Sequence, residues 1–396
     1  MKIISVVGAR PNFMKIAPFI QAIIQHNTLK TNNSQLITHV LVHSGQHYDD
    51  RMSKTFFEEL GIPNADINLG IGSGSHALQV GQTMIAFEKV LEVEKPDWVV
   101  VVGDVNATLA CSVTAKKMNI KVCHIEAGLR SWDESMPEEI NRLVTDRLSD
   151  LLLTPDTLSS KNLLKEGVAE SKVQFVGNIM IDTLESNRTK AEKLLVTEII
   201  EDNLISDQSI AYNTLRSSDI LIDQNPFALL TMHRPSNVDQ KEILEPIIRF
   251  LLDEVNQDML IIWPIHPRTQ NQLKIFGLWK EMIANDKLIL LHPLGYHEML
   301  KLNMSAKLML TDSGGLQEEC TILGTPCLTL RWNTERPITL NRNGGASVLV
   351  GNNITQIRAG YKSTLTREKT PDRPELWDGK TADRILKAIL NASDLN

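Results

Sequence analysis

Residues 307–330, KLMLTDSGGLQEECTILGTPCLTL, constrain the fold more than any other stretch. Residues 308–310 are apolar and read as a buried strand that breaks at Asp312-Ser313-Gly314-Gly315. A helical segment follows at 316–323, with Gln317, Glu318 and Glu319 in its first turn. Gly324 and Pro326 stop it, and residues 327–330 form a second buried strand. In a strand, glycine turn, helix, strand unit, the turn sits at the carboxyl end of a sheet and the amino end of a helix. Free N–H groups and the helix dipole meet there, which suits a phosphate. Adjacent glycines let a phosphate approach without a clashing Cβ. The plainer reading is a tight turn with no ligand, and this stretch alone leaves both open.

The same alternation runs through the chain. Residues 2–7 read as the first strand, with a turn at 8–12 and a helix at 13–26. Arg10 and Lys15 fall on or beside that turn, where two cations can face a phosphate, although a solvated surface charge is the commoner role for either. Further strands read at 38–43, 97–102, 121–125, 150–154 and 173–176. Asp104 and Glu126 stand at the carboxyl ends of two of them, where open parallel sheets place ligands. Glu138 and Arg142 lie four apart at the start of a helix, which equally describes a plain surface ion pair. Residues 191–225 are polar and irregular and carry little chemistry.

Alternation resumes at 227–231, a strand ending in Met232-His233-Arg234-Pro235. A helix at 241–255 precedes a strand at 259–265 that ends in His266. A strand at 288–291, a short helix at 297–302, a strand at 346–350 and an amphipathic helix at 381–390 complete the pattern. The expected fold class is α/β, two doubly wound Rossmann-like domains facing a cleft. The first covers 1–176 and the second 177–377. Arg10, Asp104, Glu126, His233, His266, Ser313 and Arg336 nearly all follow strands, which is hard to explain by scattered structural residues.

Composition narrows the function. A net charge of −7 argues against a nucleic-acid binder, and no apolar run reaches membrane-spanning length. The start, MKIISVVGARP, reads as a strand rather than a signal peptide. Cys111, Cys123, Cys320 and Cys327 show no CxxC spacing and read as buried thiols of a reducing cytoplasm. No metal-ligand spacing, G-x-S-x-G elbow or Walker lysine occurs. The first turn, GARPN, lacks G-x-G-x-x-G, so no nicotinamide cofactor is expected. A diphosphate-bearing substrate handled by carboxylate and histidine acid–base chemistry fits what remains.

At this level of detail the chain resembles the non-hydrolysing UDP-N-acetylglucosamine 2-epimerases. The matching segments are GARPNFMK (8–15), SGQHY (44–48), VVGDVNATLA (101–110), HIEAGLRS (124–131), MPEEINR (136–142) and VGNIMID (176–182). TMHRPSN (231–237), PIHPR (264–268), LTDSGGLQEE (310–319), TERP (334–337) and DGKTADRI (378–385) follow in the family's order. The resemblance implies the GT-B form of the two-domain fold, with a C-terminal helix at about 378–396 packed back on the first domain and UDP held by the second. It implies a cytoplasmic homodimer that interconverts UDP-GlcNAc and UDP-ManNAc, serves polysaccharide synthesis and needs no cofactor. Carbon 2 loses its proton as UDP leaves, giving a 2-acetamidoglucal, and UDP then re-adds with protonation on the other face.

By position, the resemblance makes Asp104, Glu126 and Glu138 the proton-transfer acids and gives His233 a supporting catalytic role. Arg10, Lys15, Arg142, His266, Ser313, Gly314, Gly315, Glu319 and Arg336 would hold substrate, with 313–315 on the diphosphate and Glu319 on the ribose. Two departures stand out. The stretch at 46–52 is longer than the QHREM-type segment of members activated by UDP-GlcNAc, and 69–75 lacks an arginine, which speaks against such activation. Ile338 follows TERP where many members carry an acid, a change that is either neutral or the mark of a modified sugar. The nearest alternatives are a 2-epimerase of a 6-deoxy or diacetamido-uronic UDP-sugar, a GT-B glycosyltransferase and a nucleotide-sugar sensor.

Overall fold

A computed structural model describes residues 1–29, 36–45, 60–217 and 225–394. The stretch at 46–52 therefore lies outside the described residues, as do Gln46, His47 and Tyr48 of SGQHY. The chain divides into two compact units, Met1–Ser186 with Pro374–Asn396, and Asn187–Arg373.

The first unit is a seven-stranded parallel sheet. Its strands are β1 (Lys2–Val7), β2 (Thr38–His43), β3 (Ile67–Asn68), β4 (Trp98–Val102), β5 (Lys121–Ile125), β6 (Leu151–Thr154) and β7 (Val173–Phe175). They lie in the order β3-β2-β1-β4-β5-β6-β7. Every residue of β4, WVVVV, is buried, as expected of a central parallel strand covered on both faces. The order reverses between β1 and β4, so the turns after these two strands diverge and leave a crevice at their carboxyl ends.

Asn12 fixes this switch point. Its side-chain oxygen accepts from the N–H groups of Gly8 and Ala9 at 3.2 and 3.0 Å, and its amide donates to the Val102 carbonyl at 2.9 Å. The helix after β1 consequently begins at Arg10 (Arg10–Thr28), three residues earlier than apolar spacing alone suggests. The last helix, Thr381–Asp394, docks through Asp182, which accepts from the N–H groups of Thr381 and Ala382 at 3.0 and 2.7 Å.

The second unit holds six parallel strands, β8 (Phe227–Thr231), β9 (Leu260–Pro264), β10 (Leu288–Leu291), β11 (Leu308–Thr311), β12 (Cys327–Thr329) and β13 (Ser347–Leu349), in the order β10-β9-β8-β11-β12-β13. Ala228, Leu230, Ile261 and Trp263 face one hydrophobic layer, and Phe227, Leu229, Leu260 and Ile262 face the other. That alternation is what a sheet buried on both faces requires. The switch point here lies between β8 and β11.

Several local expectations change. Residues 241–255 are not one α-helix. Lys241–Phe250 is α-helical, contains Pro246, and passes into a π-turn at Leu251–Val255. A helix at Ile354–Leu365, capped by the Asn353 side chain, and the two-residue β3 were not anticipated.

Candidate active site

In the first unit the carboxyl ends of β1, β4 and β5 gather charged side chains. Lys15, on the helix after β1, forms an ion pair with Glu126, directly after β5. Lys15 is 6% and Glu126 5% exposed, so Lys15 is no solvated surface charge. Arg10 opens the same helix, and its side chain lies outside the described residues. Glu126 has φ +75°, a left-handed conformation uncommon for a side chain of its size and frequent at functional sites. Gly103, with φ +69°, packs under this pair. A Cβ there would sit 3.3 Å from Asn12 Nδ2 and 3.4 Å from both Glu126 Oε2 and Lys15 Nζ.

Asp104 pairs with Arg142. Arg142 is only 2% exposed, and its Nε also donates to Glu139 Oε2 at 3.0 Å. The surface-pair alternative for Glu138 and Arg142 is therefore wrong: Arg142 points into the unit, toward Asp104 and Glu139, whereas Glu138 is exposed in the first turn of Pro137–Leu148. Burial pushes the Glu139 carboxyl up, but the Ser131 N–H and Arg142 more than offset this and hold it below the usual range. Glu139, rather than its neighbour, is thus the structural anchor of this corner. Sequence spacing offers no signal for which of two adjacent acids turns inward.

In the second unit Asp312, directly after β11, is fully buried. One oxygen accepts from the N–H groups of His233 and Arg234 at 2.9 and 2.8 Å and from Asn237 Nδ2 at 3.0 Å. The other lies 3.0 Å from His233 Nδ1. The rings of His233 and His266 lie 5.5 Å apart between centroids, tilted by 36°. His266 caps the helix Pro267–Ile275, accepting the Arg268 N–H on Nδ1 at 3.1 Å, which leaves the hydrogen on Nε2. Burial and the neighbouring His233 ring lower its proton affinity.

Ser313 is the N-cap of a helix that begins at Gly314 (Gly314–Leu323), two residues earlier than expected. Gln317, Glu318 and Glu319 are accordingly buried beyond the first turn, and that turn contains no acid. Two glycines after a capping residue adopt helical geometry readily, so the turn is absorbed into the helix. The N–H groups of its first turn have no partner within the helix, which makes them available to an anion. Arg336 reaches the same end, since a Cβ on Gly314 would lie 2.8 Å from its Nη1. Arg336 is in turn held by Glu318 at 2.7 Å and by Glu335, and Glu335 takes Arg331 Nη2 at 2.6 Å. Glu319 accepts from the Tyr296 hydroxyl at 3.2 Å, and burial pushes its carboxyl up to about 7.

Sequence reasoning passed over Asp312, Arg331 and Glu335. Asp312 directly follows β11 and Arg331 comes two residues after β12, close to the criterion that singled out Ser313, and only their lack of a motif role hid them. Among the described residues no group of three or more His, Cys, Asp or Glu side chains is arranged for a metal ion, and no helix is long and apolar enough to cross a membrane.

A family model described as UDP-N-acetylglucosamine 2-epimerase matches residues 29–390. The chain is 42% identical over 390 residues to the UDP-N-acetylglucosamine 2-epimerase of Methanocaldococcus jannaschii, covering 98% of this chain and 99% of that protein. It is 36% identical over 393 residues to the UDP-2,3-diacetamido-2,3-dideoxy-D-glucuronate 2-epimerase of Pseudomonas aeruginosa, with 98% and 99% coverage. The crystal structure of the M. jannaschii enzyme in complex with UDP-GlcNAc and UDP superposes with a TM-score of 0.83 at 41% identity, covering 99% of this chain and 100% of that one. The Neisseria meningitidis enzyme bound to UDP-GlcNAc gives 0.80 at 26% identity, with the same coverage. The two Rossmann-like units are thus of the GT-B kind.

Proposed function

The chain belongs to the UDP-N-acetylglucosamine 2-epimerase family and is an epimerase, and on that premise we propose that it interconverts UDP-GlcNAc and UDP-ManNAc through a 2-acetamidoglucal. One carboxylate takes the proton from carbon 2 while the bond from carbon 1 to the UDP oxygen breaks and a carbon–carbon double bond forms. UDP oxygen then returns to carbon 1 as a proton is delivered to the opposite face of carbon 2. The observation that carries this reading is the pair of ion-paired carboxylates, Glu126 with Lys15 and Asp104 with Arg142, at the switch point of one sheet. Acid–base work on both faces of one carbon needs more than one such group.

Asp104, Glu126 and Glu138 are the proton-transfer acids of this reading, and His233 stabilises the departing UDP. The second unit is the UDP-binding one. The helix that starts at Gly314, with Ser313, Gly315 and Arg336, takes the diphosphate, His266 Nε2–H adds a donor, and Glu319 serves the ribose. Arg10 joins Lys15 and Arg142 on the substrate's phosphate and sugar oxygens. Donors fixed before reaction stabilise charge that develops on UDP as it leaves. Resemblance also supports a cytoplasmic homodimer that feeds polysaccharide assembly.

A second reading, epimerisation of a UDP-2,3-diacetamido uronate, is favoured by the full-length Pseudomonas relative. Oxygen-18 placed between carbon 1 and phosphorus tests the proposal. Scrambling of the label into the non-bridging positions of recovered UDP-GlcNAc is expected. Its retention during turnover excludes departure of UDP, and scrambling only in the diacetamido substrate selects the second reading.

A further inference from the structure

We propose that His124 is a positioning residue: an imidazolium, paired with Asp146, whose second N–H fixes the carbonyl of Gly103 and with it the turn that carries Asp104. The proposal rests on the reading of Asp104 and Glu126 as proton-transfer groups.

His124 lies in β5 and is completely buried, so it cannot touch substrate. Its Nε2 stands 2.9 Å from the Gly103 carbonyl oxygen and its Nδ1 2.6 Å from Asp146 Oδ1. A carbonyl oxygen only accepts, so Nε2 carries a hydrogen. Asp146 is equally committed. Its Oδ2 receives the Gly128 N–H at 3.1 Å and lies 2.7 Å from Arg130 Nη1. The Gly128 N–H and the permanently charged Arg130 guanidinium both face Oδ2, which holds the group as a carboxylate. An ionised carboxylate also only accepts, so Nδ1 carries a hydrogen too.

The ion pair is part of a longer ladder. Arg130 continues the chain to Glu166, with Nε–Oε1 and Nη2–Oε2 both 2.7 Å. Glu166, Arg130, Asp146 and a cationic His124 sum to zero. Glu166 is exposed, so the ladder runs from the buried ring out to solvent.

The ladder ends on the reactive corner. Gly103 is held on both sides, its N–H donating to the Ile125 carbonyl at 3.2 Å and its carbonyl accepting from His124. The same glycine packs against the Lys15–Glu126 pair, and Asp104 follows it directly. Asp146 meanwhile anchors Gly128, two residues beyond Glu126. One buried ion pair thus sets both acid-bearing turns, and displacement of either by about 1 Å is enough to cost on the order of 100-fold in rate.

Nitrogen-15 spectra of histidine-labelled protein at neutral pH test the ring directly. Both His124 nitrogens are expected to show a directly bonded hydrogen, and a bare nitrogen overturns the proposal. The resonances are assigned by their loss in His124→Gln or, if that variant does not fold, by contacts with Gly103. In kinetics, H124Q and D146N should each lose about 10- to 100-fold in kcat, with KM within about twofold, and the double variant should lose little more than either single one. Full kcat in a folded H124Q overturns the proposal, as does a loss confined to KM. Parent protein with no epimerase activity defeats the functional reading instead and leaves the ring measurement standing.

Discussion

His233 presents Nδ1 to Asp312 Oδ1 at 3.0 Å, while the other oxygen of that carboxylate receives the backbone N–H groups of His233 and Arg234. One buried acid therefore fixes the backbone of this histidine by hydrogen bonds and lies within ion-pair distance of its ring. The arrangement leaves Nε2 of a half-exposed ring free to be aimed at a ligand, and it makes Asp312 as important to His233 as any group on the substrate.

Asp312→Asn keeps the shape and removes the charge. We expect kcat to fall by about 10- to 100-fold, the usual weight of one oriented acid–base group. UDP binding measured by calorimetry should change less than kcat. Burial raises the Asp312 carboxyl, but contact with His233 overrides it and holds the group below the ordinary range. A depressed carboxyl contributes stability that is complete at neutral pH and lost as pH falls through its folded value. Acid unfolding should accordingly be shallower in D312N.

Glu319 has the opposite sign. Burial raises its carboxyl from 4.5 to about 7, so the folded chain holds a proton that the unfolded chain has released between those values. Stability should fall as pH rises across that window, by up to ~3 kcal/mol. Glu319→Gln should remove this slope, which urea melts at pH 4.5, 6 and 7.5 would reveal.

Gly314→Ala tests the helix amino end. Its Cβ would lie 2.8 Å from Arg336 Nη1 and 2.9 Å from Glu335 Oε1. Both are ends of buried, ion-paired side chains, so a stability loss of about 1–3 kcal/mol is expected. Their retreat draws Arg336 away from the anion site, and UDP affinity should drop by about 10-fold. Unchanged affinity would remove the diphosphate from this helix.

Arg142→Lys probes the other unit. Arg142 serves Asp104 and Glu139 together, a planar two-sided role that an ammonium cannot fill. Breaking part of a buried charge network costs about 3 kcal/mol. A lowered melting temperature and a fall in kcat should therefore appear together in this variant.

Much of the fold was legible in the chain itself. Lys2–Val7, Thr38–His43, Lys121–Ile125, Phe227–Thr231 and Leu288–Leu291 begin and end where the sequence reading sets them, because strands buried on both faces are mostly apolar and admit a polar residue such as Ser5 or His124 only with a hydrogen-bond partner. The strand-end placement of Asp104, Glu126, His233, His266 and Ser313 follows from the same runs. What the sequence does not reveal is which charges meet. Lys15 looks like a surface cation until Glu126 is folded against it, and Glu138 and Glu139 are indistinguishable until the helix turns one of them toward Arg142. Helix starts shifted for a related reason. Asn12 and Ser313 stabilise amino ends through hydrogen bonds and backbone geometry, which apolar spacing does not record.

Proton NMR of the purified protein with UDP-GlcNAc in D₂O tests the central claim most directly. UDP-ManNAc signals are expected to appear, with deuterium entering carbon 2 of both sugars as they equilibrate. Epimerisation with the carbon 2 proton retained would contradict proton transfer by Asp104, Glu126 and Glu138. Release of free ManNAc with UDP would make the enzyme a hydrolase and contradict the return of UDP to carbon 1.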